Sequence, residues 1–269
     1  MVISARRDIE GAHVAAQRVV QVHQRLAGFL RAGQTLAQID RFVAETLAEL
    51  DCRSAFLHYR IKGHPPFPSH ACLSLNDCVV HGTHDLTAET TKPGDLLSID
   101  VGAVHDGWIG DAAWTYAIEE ASEEALKLMA CGRESLRCGI AAMQPGRPLL
   151  DWARAVQAYV ENECGFYLVR GLGGHGYGRR LHGPPFISNV LPSHPNEWPD
   201  AWTTFKTGLL IAVEPMIAVG TGDIISGDQW PIYTADRSLS VHYEADILIT
   251  KDGPLELTEG LDGLPDVVG

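Results

Sequence analysis

The sequence is short of positive charge. Lysine and arginine number 21 against 34 aspartate and glutamate residues, so the formal net charge is −13 with histidine neutral. A nucleic-acid-binding surface needs a basic patch or stripe, and we therefore expect no nucleic-acid partner. An acidic, well-hydrated surface explains most of the excess, although a site for metal cations would also use part of it.

Long apolar runs and paired cysteines are missing as well. No stretch of about 18 apolar residues is present, so we expect no membrane span and no membrane partner. No apolar core follows Arg6 and Arg7, which argues against a signal peptide. The six cysteines form no CxxC pair, and scattered single thiols are typical of a reducing compartment. The sequence predicts a cytoplasmic protein, and we expect it to be a monomer.

Two pairs of helices are predicted. Apolar spacing indicates a helix over residues 8–30, and Thr35 is placed to cap a second helix that runs to Leu50. A second pair is predicted over about 121–143 and 148–162, again separated by a glycine break. The two pairs indicate that the chain repeats one arrangement of elements.

A β-hairpin is predicted between the helix pairs. Its strands cover about 95–104 and 108–118 and join around Asp106. In this geometry Asp100 and Asp111 lie nearly opposite one another on adjacent strands. We therefore expect their carboxylates to converge on one point.

Glycine spacing supports an internal duplication. Gly33 and Gly146 each lie between two helices, and Gly94 and Gly208 each precede a carboxylate by six residues. The offsets, 113 and 114 positions, are nearly equal. Coincidence is the alternative, because helix–glycine–helix–strand units are common, but equal offsets favour a duplicated half.

We therefore predict one domain of α+β class over residues 1–269. Its internal halves are expected at about 8–118 and 121–250, related by a pseudo-two-fold axis with one carboxylate from each half near that axis.

Four carboxylates and one imidazole stand in apolar or glycine-rich surroundings, where a charged group is costly to bury unless it is compensated. They are Asp100, Asp111, His175, Glu214 and Glu244. Any one of these acids, taken alone, is better explained as a solvated surface carboxylate. As a set, they match the ligands that hydrolases use for two divalent cations. No thiolate joins them, which favours Mn, Fe or Co over a structural zinc site.

Two further histidines stand near this set in the sequence. His81 follows an apolar stretch, and His182 lies seven residues after His175. Either one is explained equally well as a structural histidine. Outside a ligand shell, they can also donate hydrogen bonds to a substrate carbonyl or to the oxyanion that develops during hydrolysis.

The chain resembles the type I methionine aminopeptidases, a family of peptidases with two metal ions and the pita-bread fold. The resemblance extends from the first helix to the strand that carries Glu244, and it is specific only when several segments are taken together. These segments are Asn76-Asp77-Cys78-Val79-Val80-His81-Gly82, Ser98-Ile99-Asp100-Val101, Asp106-Gly107-Trp108-Ile109-Gly110-Asp111, Gly174-His175-Gly176-Tyr177-Gly178, Val213-Glu214-Pro215-Met216 and Asp236-Arg237-Ser238-Leu239-Ser240.

The resemblance implies a fold and a ligand set. The fold is a pseudo-two-fold, curved antiparallel sheet covered by two helix pairs. The ligand set holds two divalent cations, with Co, Mn and Fe as the candidates. Asp100 chelates one of them. Asp111 and Glu244 bridge both cations, and His175 with Glu214 completes the other.

The resemblance also implies a reaction, which is hydrolytic removal of N-terminal methionine from peptides and nascent chains when the second residue is small. Glu214 then accepts the proton of the attacking water, His81 contacts the substrate near its amino terminus, and His182 polarises the scissile carbonyl. The implied methionine pocket consists of Phe56, Tyr59, Cys72, Leu181 and Trp230.

Two departures from the family pattern bear on turnover and substrate size. The segment Gly183-Pro184-Pro185 replaces the usual Glu-Glu-Pro after His182, and an extra stretch from Ile61 to Ser69 lengthens the loop beside the pocket. Two alternatives therefore stay open. One is an Xaa-Pro exopeptidase of the same fold, and the other is a non-catalytic peptide-binding relative.

Overall fold

The computed structural model describes residues 1–269 and contains four α-helices. The helices are α1 Arg6–Ala27, α2 Leu36–Glu49, α3 Glu123–Ala142 and α4 Leu150–Gln157, and π-helical turns over Ala158–Cys164 continue α4. The predicted helix pairs are therefore confirmed. Thr35 begins α2 as expected, because its hydroxyl accepts a hydrogen bond from the Gln38 amide while the Gln38 side chain bonds back to the Thr35 amide.

Sixteen strands make up the rest of the regular structure. They are β1 Arg53–Ser54, β2 Cys72–Leu75, β3 Cys78–Val80, β4 Leu96–His105, β5 Trp108–Ile118, β6 Tyr167–Leu168, β7 Gly173–Gly176, β8 Gly183–Ser188, β9 Leu210–Val213, β10 Met216–Ala218, β11 Ile224–Ser226, β12 Ile232–Thr234, β13 Ser240–His242, β14 Ala245–Thr250, β15 Gly253–Glu256 and β16 Val267–Val268. Short 3₁₀ turns occur at Pro199–Trp202 and Leu261–Gly263.

The strands form four sheets, and every pair is antiparallel except β16 with β5. One five-stranded sheet has the order β1-β4-β5-β16, with β2 also paired to β4, and the other has the order β15-β14-β9-β7-β8. The two three-stranded sheets are β13-β10-β6 and β11-β12-β3. The predicted α+β class is therefore confirmed. None of the helices combines the length and the apolar character that a bilayer crossing requires.

The predicted hairpin is formed by β4 and β5, but its register differs slightly from the expectation. Asp100 pairs with Ala113, and Asp111 pairs with Gly102, so the two aspartates are diagonal rather than directly opposite. Because directly paired residues and residues two apart share a face of a sheet, both side chains still point to the same side. The predicted convergence survives this two-residue offset.

The two helix pairs repeat the same backbone details. Gly33 and Gly146 both have left-handed φ angles, 84° and 82°. The Gly33 amide donates to the Thr91 carbonyl at 2.8 Å, and the Gly146 amide donates to the Phe205 carbonyl at the same distance. These shared features are consistent with a duplicated half, while the proposed limits at 8–118 and 121–250 stay a prediction.

Helix α1 packs directly on β5, and a glycine makes this close approach possible. A Cβ atom on Gly110 would lie 2.4 Å from the Ala15 carbonyl oxygen and 2.6 Å from the Ala16 Cα. Because the obstructing atoms belong to the backbone, no side-chain rotation can relieve the overlap. The contact fixes the position of β5, and with it the position of the neighbouring Asp111.

We expect Gly110→Ala to lower the free energy of unfolding by about 1–3 kcal/mol, because helix α1 must move away from strand β5. Urea denaturation of both proteins measures the loss. Gly263→Ala is the matched control, since nothing lies within 4 Å of a Cβ atom there. Equal stability of the two variants would contradict the close packing.

Candidate metal centre

The structure brings the five predicted ligands together from distant parts of the chain. Asp100 lies on β4, Asp111 on β5 and His175 on β7, while Glu214 directly follows β9 and Glu244 lies between β13 and β14. All five line one cavity of about 680 Å³. The site is therefore assembled by the two large sheets together rather than by any single loop.

The spacing between donor atoms suits a divalent cation. His175 Nε2 lies 3.8 Å from Asp111 Oδ2 and 3.9 Å from Glu214 Oε1. Donor atoms that share one ion at about 2.0–2.2 Å lie roughly 3 to 4 Å from each other. One ligand atom each from Asp111, His175 and Glu244 lies within 4.8 Å of the others. The residues present fit the metal that the sequence predicts.

Unpaired buried oxygens point to the same conclusion. Asp100 Oδ1 and Asp111 Oδ1 are shielded from solvent and have no hydrogen-bond partner. Burial raises the pKa of Asp100 to about 7, against an opposing effect of His242. Burial, followed by the charges of neighbouring carboxylates, raises the pKa of Asp111 and Glu244 well above their usual range. Such a group of acids is costly unless a cation compensates it.

Strand β7 directs the His175 ring toward the carboxylates. Its Nδ1 lies 3.3 Å from the Gly176 carbonyl oxygen, which leaves the Nε2 lone pair directed at the carboxylates. The glycines that flank His175 lie against the backbone of neighbouring strands. A Cβ atom on Gly174 would lie 2.3 Å from the Ala212 carbonyl oxygen, and one on Gly176 would lie 2.1 Å from that of Pro184. They are required by the close approach of three strands.

The two additional histidines both line the cavity. Burial lowers the pKa of His81 to about 4, and the same effect lowers that of His182 to about 4. Both are therefore neutral near pH 7, and each has one ring nitrogen free to donate. The His182 ring lies 4.3 Å from that of His175, and its Nδ1 is 2.6 Å from the Tyr59 hydroxyl.

Apolar side chains form the wall above the ligands. Phe56, Tyr59, Cys72 and Trp230 line the cavity, as the sequence predicts. Leu181 does not line it. Its side chain is buried in the apolar cluster that also contains Phe56, Cys72 and Trp230, and it faces a separate surface recess.

The long loop beside the pocket is tied down over it. Trp230 Nε1 donates to the Pro65 carbonyl at 3.1 Å, and His64 Nδ1 lies 2.9 Å from the Gln229 carbonyl. Phe67, which the sequence analysis did not assign to the pocket, lines the cavity and meets the Trp230 ring edge-on at 5.2 Å. The inserted residues therefore supply part of the pocket wall.

Three buried polar residues near the ligands were missed by the sequence analysis. His242 lines the cavity, with its Nε2 3.3 Å from Glu214 Oε2. Asp246 accepts a hydrogen bond from the Asp111 amide at 2.8 Å, and Asn189 donates to the Glu214 carbonyl at 2.9 Å. His242 and Asp246 lie two residues before and two residues after Glu244, and apolar or aromatic residues separate them from it. This alternation could have indicated that they face the same side as Glu244.

The chain is similar in sequence to known metallopeptidases. The sequence profile of metallopeptidase family M24 matches residues 10–251. Methionine aminopeptidase 1 of Mycobacterium tuberculosis is 39% identical over 235 residues, covering 85% of this chain and 84% of that protein. Methionine aminopeptidase of Aquifex aeolicus is 34% identical over 261 residues, covering 95% of this chain and 97% of that protein.

Solved structures show the same fold. Methionine aminopeptidase of Thermotoga maritima superposes with a TM-score of 0.85 at 33% identity, covering 96% of this chain and 99% of that one. Prolidase of Pyrococcus furiosus superposes with a TM-score of 0.74 at 19% identity, covering 96% of this chain and 65% of that one, a likeness of fold alone. The predicted pita-bread fold is confirmed.

We expect cations to stabilise the metal-stripped protein. A Co²⁺ concentration about a hundredfold above Kd should raise Tm by roughly 5–10 °C. Asp111→Asn should reduce this rise by more than half, yet leave the metal-stripped protein no less stable, because it removes one buried acid from the group. Thermal unfolding with and without Co²⁺ measures both effects.

The exposed Asp228 provides the control for this experiment. Asp228→Asn should keep the full rise in Tm, since this side chain lies on the surface outside the cavity. An equal rise for Asp111→Asn and the wild type would exclude Asp111 as a ligand.

Proposed function

Because this chain belongs to metallopeptidase family M24, we propose that its cavity removes N-terminal methionine from peptides and nascent chains whose second residue is small. One observation carries the proposal, which is the convergence of four carboxylates and an imidazole on the floor of a single apolar cavity. We further propose that the site takes two divalent cations, with Co, Mn and Fe as candidates. Such cations supply Lewis-acid activation of water and of the scissile carbonyl.

For the division of roles among the ligands, we propose the one that the resemblance to the type I methionine aminopeptidases implies. Asp100 is proposed to hold one cation, Asp111 and Glu244 to bridge both, and His175 with Glu214 to complete the other. Glu214 is also proposed to take the proton from the attacking water. Its side chain is about 13% exposed at the cavity floor, so it can be reached by water while staying within the ligand group.

The apolar wall suits a methionine side chain. Phe56, Phe67 and Trp230 surround the cavity with ring faces and edges, and the Cys72 thiol completes it. An unbranched thioether packs favourably against aromatic rings and adapts to irregular gaps. This pocket supports methionine in preference to a charged or strongly polar first residue.

Tyr59 is proposed to orient His182. Burial, with the Asp111 charge second, raises the pKa of Tyr59, so its hydroxyl stays protonated and donates to His182 Nδ1. A neutral imidazole that accepts at Nδ1 carries its proton on Nε2. This nitrogen is then free to donate to the substrate carbonyl. His81 is proposed to contact the substrate amino terminus.

The two alternatives are weaker. An Xaa-Pro exopeptidase is supported only by a likeness of fold at 19% identity. A non-catalytic peptide-binding relative is favoured by the altered segment after His182, but it leaves the buried carboxylates without a purpose that offsets their cost.

The first test is hydrolysis by metal-stripped protein resupplied with Mn, Fe or Co. We expect release of methionine from Met-Ala-Ser, none from Met-Phe-Ser, and little cleavage of Ala-Pro-Ala. Glu214→Gln should lower kcat by about 10²–10⁴-fold, whereas the exposed Glu163→Gln should not change it. Faster cleavage of Ala-Pro-Ala would favour the Xaa-Pro alternative, and inactivity with bound cation would favour the binding relative.

Tyr59→Phe tests the orienting hydrogen bond. Loss of about 1–1.5 kcal/mol should lower kcat for Met-Ala-Ser roughly tenfold while KM changes little, because the ring and the pocket wall are kept. Nitrogen NMR of ¹⁵N-histidine protein should show that His182 loses its single Nε2–H tautomer. Tyr167→Phe, at an exposed position, is the control. An unchanged tautomer in Tyr59→Phe would refute the assignment.

A further inference from the structure

His242 is directed at the carboxylates by rigid surroundings. Its backbone amide lies 3.2 Å from the Ser98 hydroxyl and 3.0 Å from that of Thr115, and its carbonyl accepts from Thr115 at 2.9 Å. The next residue, Tyr243, points the other way and packs edge-on against Trp114 at 4.8 Å. Alternate residues of an extended chain face the same side, so His242 and Glu244 enter the cavity together.

The free nitrogen of His242 has no hydrogen-bond partner, although its side chain is only 3% exposed. This Nε2 lies 3.3 Å from Glu214 Oε2 and 3.9 Å from Glu244 Oε2. These separations resemble those between His175 Nε2 and its own carboxylate neighbours, 3.8 and 3.9 Å. Burying an imidazole nitrogen without a hydrogen-bond partner costs free energy. A bound group from outside the protein would remove this cost.

We propose that His242 is a sixth metal ligand, which forms a cation position with Glu214 and Glu244. One ligand atom from each of these three residues lies within 4.8 Å of the others. The position shares Glu244 with the group of Asp111 and His175, so each of the two groups contains one imidazole. The inference rests on the proposed metal-dependent function, because the same cavity binds the cations in both.

An imidazole in this position changes which metals the site prefers. Carboxylates alone suit Mn²⁺ and Mg²⁺, whereas an added imidazole favours Co²⁺, Fe²⁺, Ni²⁺ and Zn²⁺. His242 then belongs to the cation that His175 and Glu214 are proposed to complete, and it gives this cation a second nitrogen donor. The site should therefore discriminate against Mn²⁺ more strongly than one in which an amide side chain replaces His242.

The competing explanation is that His242 only donates a hydrogen bond to Glu214. The 3.3 Å separation permits such a bond in one tautomer. In that case the imidazole would keep its Nε2 proton when cations bind, and its removal would leave cation affinity nearly unchanged. The two explanations therefore predict different results in metal binding and in the histidine NMR spectrum.

Calorimetric titration of metal-stripped protein with Co²⁺ tests the proposal. For His242→Gln we expect one of the two bound equivalents to lose about tenfold or more in affinity. Affinity for Mn²⁺ should fall by a smaller factor. His81→Gln is the matched control, because His81 lines the same cavity but belongs to neither ligand group, and it should stay within about twofold. A His242→Gln protein with unchanged Co²⁺ affinity overturns the proposal.

A measurement on the unmodified chain avoids any folding defect in the variant. Titration of ¹⁵N-histidine protein with Zn²⁺ should shift two ring Nε2 signals to metal-bound values, those of His175 and His242. If His242 keeps a protonated Nε2 while His175 shifts, the proposal fails and the metal centre itself stands. If neither signal shifts and no Met-Ala-Ser is cleaved, the proposed function fails as well.

Discussion

Several carboxylates that repel one another are buried side by side at the bottom of the cavity. Asp111 and Glu244 are each about 2% exposed, so burial already disfavours their charged forms. The negative charge of each one raises the cost of ionising the other further. No lysine or arginine lines the cavity to offset them. A bound cation would offset this buried negative charge. The stability of the folded site is therefore linked to metal binding.

A rigid frame is needed to keep such groups close together. Asp246 fixes the Asp111 backbone, Asn189 fixes that of Glu214, and the Trp152 indole in turn holds Asn189 at 3.1 Å. Strands β7, β8 and β9 approach so closely that glycine alone fits beside His175. Side chains on packed strands are positioned more accurately than side chains on loops, and this accuracy is required where ligand separations differ by only a few tenths of an ångström.

The elements and the five residues that converge on the cavity could be predicted from the sequence, but the details that depend on packing could not. The hairpin was predictable because Asp106-Gly107 specifies a turn, yet the two-residue offset between Asp100 and Asp111 depends on pairing that no local pattern determines. For Leu181, a motif alone does not show whether the side chain lines the cavity or packs beside it. His242 was overlooked because a single histidine in an apolar strand looks the same whether it is structural or a ligand.

The segment around Tyr59 explains how the altered sequence after His182 is compatible with function. The aromatic residues of this segment line the cavity, and the Tyr59 hydroxyl contacts His182. Gly102 leaves the space that the Phe56 ring occupies, since a Cβ atom there would lie 2.5 Å from that ring. The Tyr59 carbonyl accepts from the Phe67 amide at 2.9 Å, which joins the inserted loop to the same unit. The cavity wall and the contact to His182 therefore depend on one piece of chain, so a change in this loop is expected to affect both.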